Sequence, residues 1–231
     1  MADAKHTEQF TLSGVRLFHP NLIVPRKFKD PRTGKESGDP KYSALFGIDP
    51  NRPDFAEMKR LATLVAKDAA LKDEDGNLVP LNKLSWPFKT GDKLADKAKA
   101  EVEAGKPKAK LADYYRGLVI VKTSSLFPVG LAYVNGKQIV ELDFDDEALR
   151  KKNAGKFFFG AEVWADITFS PHQVGSNTPG VNAYLTSVMA TGKGERIGGF
   201  TPASERFKSY LGHLSAADPT AGQEDVDEPS F

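Results

Sequence analysis

The chain has no cysteine, 3 methionines and 2 tryptophans in 231 residues. Without cysteine there is no disulfide framework, no thiolate nucleophile and no thiolate metal site. That suits a reducing compartment. No run approaches the roughly 18 apolar residues of a membrane-spanning helix. The first residues, Met1 to Phe10, are polar and lack the apolar stretch of a signal peptide, so a cytosolic protein is expected. The histidines, at 6, 19, 172 and 213, have no metal-ligand spacing. There is no G-x-x-x-x-G-K-[ST] loop, Gly192-Lys193-Gly194 lacks phosphate-loop spacing, and no G-x-S-x-G exists. The acids Glu141, Asp143, Asp145, Asp146 and Glu147 are of a type that holds Mg²⁺. Capping of a helix N-terminus explains most of the cluster without a metal. The sequence therefore reads as a protein without catalytic residues, cofactor or resident metal.

The chain does have 15 phenylalanines, 40% apolar residues and 27% charged ones. This is enough for a substantial core under an ordinary polar surface. The net charge of +1 hides a split. Asp218, Glu224, Asp225, Asp227 and Glu228 put −5 on residues 215–231, which leaves +6 on residues 1–214. An acidic terminus on a basic body is either a solubilising tail or a tethered competitor for a basic groove.

Alternation and turn signals give the elements. Thr11 to Val24 reads as a first strand, with Val15 and Leu17 alternating against Arg16 and Phe18. Lys27 to Pro40 reads as a basic, Gly/Pro-rich loop carrying Lys27, Lys29 and Arg32. Lys41 to Ile48 alternates again. Asp54 is a plausible cap for a helix from Phe55 to about Leu71. Residues 92–110 read as a solvated helix or a mobile insertion. Arg116 to Lys122 is a strong strand segment, and Asn135-Gly136 marks a hairpin beside Lys137. Asp143 to Lys152 reads as a short helix, and Thr201 to Leu211 as a terminal one. Strands Phe157–Phe169 and Val181–Ala190 close the body. The expected organisation is a body over residues 1–214, with helical insertions near 54–72 and 92–110, and a disordered acidic tail over 215–231. Few strands with inserted helices point to a small closed antiparallel barrel.

At period two, Phe157, Phe159, Ala161, Val163, Ala165, Ile167 and Phe169 form one apolar face. Phe158 and Trp164 lie on the other, with Gly160, Glu162, Asp166 and Thr168. On the next strand Val181, Ala183, Leu185 and Met189 fit the core, and Asn182, Tyr184, Thr186 and Val188 fit the outer face. If residues 170–180 close a hairpin, Trp164 and Tyr184 become outer-face neighbours. Rings on a wet sheet face are what unpaired bases stack on, at roughly 1–3 kcal/mol per base. Arg16, Lys27, Lys29, Arg32, Lys41, Arg116, Lys122 and Lys137 stand on strands or flanking loops where they neutralise phosphates. The competing reading is a second small core in which the inserted helices cover these rings. A protein-interaction role for exposed aromatics is the alternative function.

Several short motifs carry a family resemblance. They are Gly14-Val-Arg-Leu-Phe-His-Pro20, Lys41-Tyr-Ser-Ala-Leu-Phe-Gly-Ile48, Tyr115-Arg-Gly-Leu-Val-Ile-Val121, Gly180-Val-Asn-Ala-Tyr-Leu185, Gly198-Gly-Phe200 and Asp227-Glu-Pro-Ser-Phe231. In order and spacing the chain resembles the tailed-phage proteins that coat single-stranded DNA. The resemblance implies a five-stranded antiparallel OB-fold barrel with little sequence preference, working in replication and recombination in the cytoplasm of the bacterial host. It implies base contacts by Trp164 and Tyr184, with Phe158 and Phe18 as further rings. It also implies a tail whose Asp225, Asp227, Glu228 and Phe231 contact replication proteins such as a DNA polymerase. No membrane partner is expected, and self-association is compatible. Segment 92–110 has no counterpart in the family pattern.

Overall fold

The computed structural model describes residues 6–29, 34–106, 112–172 and 178–197. The chain divides after Ile197, and every described residue lies in the first unit. Arg32, Gly198-Gly-Phe200, the expected helix at 201–211, the expected boundary at 214–215 and the tail residues Asp225, Asp227, Glu228 and Phe231 lie outside the described residues.

In chain order the strands are β1 (Glu8–Lys29), β2 (Glu36–Ile48), β3 (Phe88–Thr90), β4 (Val119–Ser125), β5 (Gly130–Asn135), β6 (Gln138–Leu142), β7 (Ala161–His172) and β8 (Gly180–Gly194). The helices are α1 (Pro53–Asp68), α2 (Gly91–Glu103) and α3 (Glu147–Asn153). The sheet runs β3-β4-β2-β1-β7-β8-β5-β6, and an added β4–β8 pairing closes β4, β2, β1, β7 and β8 into a ring. In an all-antiparallel ring the strand directions alternate, so an odd number of strands cannot close without one parallel seam. That seam is β4–β8, through Thr123↔Ala183 and Ser124↔Tyr184. The expected antiparallel barrel is thus present with one parallel junction, and β5–β6 is a hairpin added to the far part of β8.

Inward residues follow the alternation. Leu12, Val15, Leu17, Phe46, Val121, Val163, Ile167 and Phe169 are buried in the main core. Helix α1 closes it with Met58, Leu61, Ala62, Val65 and Ala66. This helix starts earlier than the sequence suggested. Arg52 is its N-cap, Pro53 takes the first turn, and Asp54 lies inside the helix and pairs with Arg52. Proline suits that place because its missing N–H has no intrahelical partner there. Asp146 caps α3 by accepting from the Leu149 N–H at 2.7 Å, as the acid cluster suggested. The β5–β6 loop is Gly136-Lys137, one residue later than expected, because Asn135 still pairs with Gln138. Strand β7 begins at Ala161, since Ala154–Lys156 forms a 3₁₀ turn and Gly160 takes φ +100.

One close approach holds the seam region. Ser85 bridges to Gly180, its N–H donating to the Pro179 carbonyl and its carbonyl accepting from Val181, both at 2.9 Å. A Cβ at Gly180 would collide with the Ser85 carbonyl oxygen. Gly180→Ala is therefore expected to destabilise the fold by about 1–3 kcal/mol, read as a lower urea midpoint. Among the described residues no helix is long and apolar enough to cross a membrane, and no group of three or more His, Asp or Glu is placed to hold a metal.

Candidate nucleic-acid interface

The outer face of the barrel divides into a covered part and an open part. The covered part lies under α2 and the Asp113–Tyr115 turn. There Phe18 is fully buried in a second cluster with Ala112, Tyr115 and Ile120, and Leu94, Ala98 and Phe159 pack against it. The Phe18 ring meets Tyr115 edge-on at 5.1 Å and Phe159 at 5.4 Å. Burial, and then the adjacent Tyr114, push the Tyr115 hydroxyl above the ordinary phenol range, so it stays neutral. Arg116 fastens this lid, donating to Asp96 and Asp113, each at 2.9 Å. The cover expected in the competing reading thus falls on Phe18 and not on Trp164 or Tyr184. Helix α2, within segment 92–110, supplies the cover, and Trp164 and Tyr184 stand clear of it at 46% and 41% exposure.

On the open part, cross-strand partners share a face, which defines a band around the barrel. It runs Gln9, Thr168, Tyr184, Ser124, Ser43 and Asn21, each in register with the next. One circuit thus moves from Gln9 to Asn21 along β1, the stagger expected of tilted barrel strands. Tyr184 is the one ring in this polar band. Lys122 and Lys41 lie two residues from Ser124 and Ser43 on opposite sides of it, roughly 7 Å along each strand. Lys41 is in register with Arg26.

Beyond Lys41 the β1–β2 hairpin leaves the barrel. The β2–β4 register starts only at Tyr42, and the β1–β7 register ends at Arg16. The remainder, Arg26–Lys29 against Glu36–Lys41, is a two-stranded ribbon with every residue exposed. It carries Arg26, Lys27, Lys29 and Lys41, and Phe28 stands out from it at 65% exposure. Two residues past the Tyr42↔Ser125 pair, Phe127 is 77% exposed, its N–H and carbonyl both bonded to the Ser125 hydroxyl. Rings and cations thus surround the Ser43–Ser124 end of the band.

No protein-family model matches the sequence, and no curated protein matches it. Solved structures do. The C-terminally truncated single-stranded DNA-binding protein of bacteriophage Enc34 superposes with TM-score 0.53 and 17% identity, over 82% of this chain and 88% of that one. The untruncated Enc34 protein gives 0.51 and 17%, over 86% and 89%. The T7 single-stranded DNA-binding protein gp2.5 gives 0.49 and 12%, over 95% and 100%. This chain has the fold of the Enc34 single-stranded DNA-binding protein. It is an OB-type barrel, with the five-strand ring and parallel seam described above.

On this OB barrel the expected site residues fall into three groups. Lys27, Lys29, Lys41, Lys122 and Tyr184 come together around the band and ribbon. Trp164 is on the same outer face but is not a neighbour of Tyr184. Tyr184 pairs with Thr168, four residues or roughly 13 Å along β7, and Trp164 pairs with Met189. The register running back from His172↔Gly180 puts Tyr184 opposite Thr168, and a bulge between Asp166 and Ile167 then adds Thr186 to β8 and shifts the alternation beyond it. Val188 is consequently buried, and Met189 moves to the outer face beside Trp164. Glu162 and Asp166 flank Trp164 on its own strand. Asp166 accepts from the Thr11 and Ser187 hydroxyls at 2.7 and 2.6 Å, and Arg16 is in register with Glu162.

The third group is withdrawn from the band. Phe18 is core, Arg116 is committed to Asp96 and Asp113, and Lys137 is on the β5–β6 loop outside the ring. Phe158 is half-buried at the end of the barrel, with the Arg196 guanidinium 4.5 Å from its ring centre. The sequence reading missed Phe28 and Phe127. An aromatic inside a Lys-rich stretch was the available signal for Phe28. Phe127, between Leu126 and Pro128, gave none.

Proposed function

We propose that this protein binds single-stranded DNA with little sequence preference and catalyses no reaction. One observation carries the reading: Tyr184 is exposed in a polar band bracketed by Lys41 and Lys122, next to a basic ribbon bearing exposed Phe28. Stacking on such rings tolerates any base, and the cations answer the phosphates. The solved Enc34 structures that share the fold are of a single-stranded DNA-binding protein, which supports the same ligand here. The biological task we assign is coating and protecting single strands during phage replication, recombination and repair in the host cytoplasm. The acidic, Phe231-ended tail is assigned to competition for the cationic surface and to recruitment of replication proteins such as a polymerase.

An oligo-dT titration followed by tryptophan fluorescence tests this. Saturable binding is expected, with log K falling against log salt at a slope of roughly −3 to −4 if Arg26, Lys27, Lys29, Lys41 and Lys122 each neutralise one phosphate. Absence of binding at low salt refutes the proposal. A parallel oligo-U titration measures strand-type preference.

A second reading applies to Trp164 alone. Carboxylates on both sides of the indole disfavour phosphate and favour a protein contact. Trp164→Ala is accordingly expected to cost less DNA affinity than Tyr184→Ala in the same titration. The reverse order would make the indole the principal stacking platform.

A further inference from the structure

A second aromatic and cationic cluster lies at the other end of β8. Tyr133 is in register with Ala190, six residues past Tyr184, or roughly 20 Å along the strand. The Lys156 ammonium is 4.1 Å from the centre of the Tyr133 ring. Arg196 stacks on Phe158 at 4.5 Å and donates to the Gly155 carbonyl at 3.4 Å, which ties the two ring–cation pairs through adjacent residues Gly155 and Lys156. No carboxylate pairs with either cation among the described residues, whereas Arg52, Arg60, Arg116 and Lys151 are all ion-paired. A guanidinium held over a ring has five N–H groups, and one carbonyl occupies only one of them. Tyr133 shares the side of β8 on which Ala190 is buried, opposite to that of Tyr184, and the outer face between them carries Trp164 with Glu162 and Asp166, so the two cationic areas are separate and a strand reaching both passes over the rim of the barrel.

We propose that Lys156 and Arg196, held on Tyr133 and Phe158, form a second contact point for the phosphate backbone of the same single strand. This rests on the single-strand reading above. Its chemistry is two preplaced cations for two phosphodiesters, with the rings fixing the cation positions. The Tyr184 band and this cluster then form a bipartite site. The second half contributes only to an oligonucleotide long enough to span more than the roughly 20 Å that separates the two along β8, because linkage raises affinity only where both contacts are reached at once.

The test compares oligo-dT of increasing length on the full chain and on the Lys156→Gln/Arg196→Gln double variant, each at several salt concentrations. For the wild type, affinity is expected to rise by about tenfold or more once the oligonucleotide spans both clusters. The double variant should bind the shortest oligonucleotides like the wild type, which also reports that it is folded, and should lose the length-dependent gain. Its salt slope on long oligonucleotides should be shallower by roughly 1.4, two phosphates at about 0.7 each. A variant that keeps both the gain and the slope overturns the second contact and leaves the Tyr184 site standing. A wild type that binds no oligonucleotide of any length overturns both.

Discussion

Alanine at both Tyr184 and Phe28 is expected to weaken oligo-dT binding by at least about thirtyfold. Each ring that stacks a base contributes roughly 1–3 kcal/mol, and about 1.4 kcal/mol is a factor of ten. Tyr184 is fixed by sheet pairing on two sides, to Thr168 and Ser124, so it meets the strand without first being ordered. Phe28 is on a ribbon paired only within itself, so part of its stacking energy is offset by ordering the ribbon. Tyr184→Ala should therefore be the more damaging of the two single changes. Tyr184→Phe, which keeps the ring, should bind nearly as well as the wild type. Fluorescence anisotropy at one salt concentration measures the four variants against the wild type. Wild-type affinity in the double variant would remove the band from the binding surface.

The largest effect on stability is expected at Arg150. This side chain on α3 is 3% exposed, yet it has no carboxylate partner among the described residues. Its donors go to the carbonyls of Leu22 at 3.1 Å, Val129 at 3.2 Å and Phe144 at 3.4 Å, and the Phe144 ring lies 5.7 Å from the guanidinium. Nε is buried without a partner. The arrangement joins β1 just past Asn21, the chain entering β5, and the segment before α3. Arg150→Ala leaves the buried carbonyls without their donor and opens a cavity, at an expected cost of about 3–5 kcal/mol. At this chain length that lowers the melting temperature by roughly 10 °C. Arg150→Met should cost less than Arg150→Lys, because methionine fills the space without burying an ammonium that reaches fewer acceptors. Calorimetry that finds Arg150→Ala as stable as the wild type would show the guanidinium to be dispensable.

Much of the barrel was legible because burial follows strict alternation on β7, where Val163, Ala165, Ile167 and Phe169 all point inward. On β8 the same rule succeeds through Leu185 and fails after it. A bulge leaves no mark in local composition, yet it reverses the side of every later residue. Phe18 failed for a different reason. It does project from the outer side of β1, in register with Leu45, but a helix some 75 positions later in the chain covers it. Arg116 is lost to the interface in the same way, through Asp96 on that helix. Lys27, Lys29, Lys41 and Lys122 were readable because an exposed cation needs no long-range partner to be where it is. Phe28 was hidden inside what reads as a loop, since Gly34, Gly38 and Pro40 obscure the β pairing around it.

The seam has a consequence for how ligand and fold are linked. Four strand junctions in the ring have seven or more paired positions each, but β4 and β8 meet at two, with β3 taking up the rest of the β4 edge. Tyr184 and Ser124 are one of those two pairs. A nucleotide resting on this tyrosine with its phosphate toward Lys122 therefore bridges the thinnest joint in the wall. On the function proposed above, occupancy and closure reinforce each other there, so a bound strand also acts as a clasp on the barrel wall.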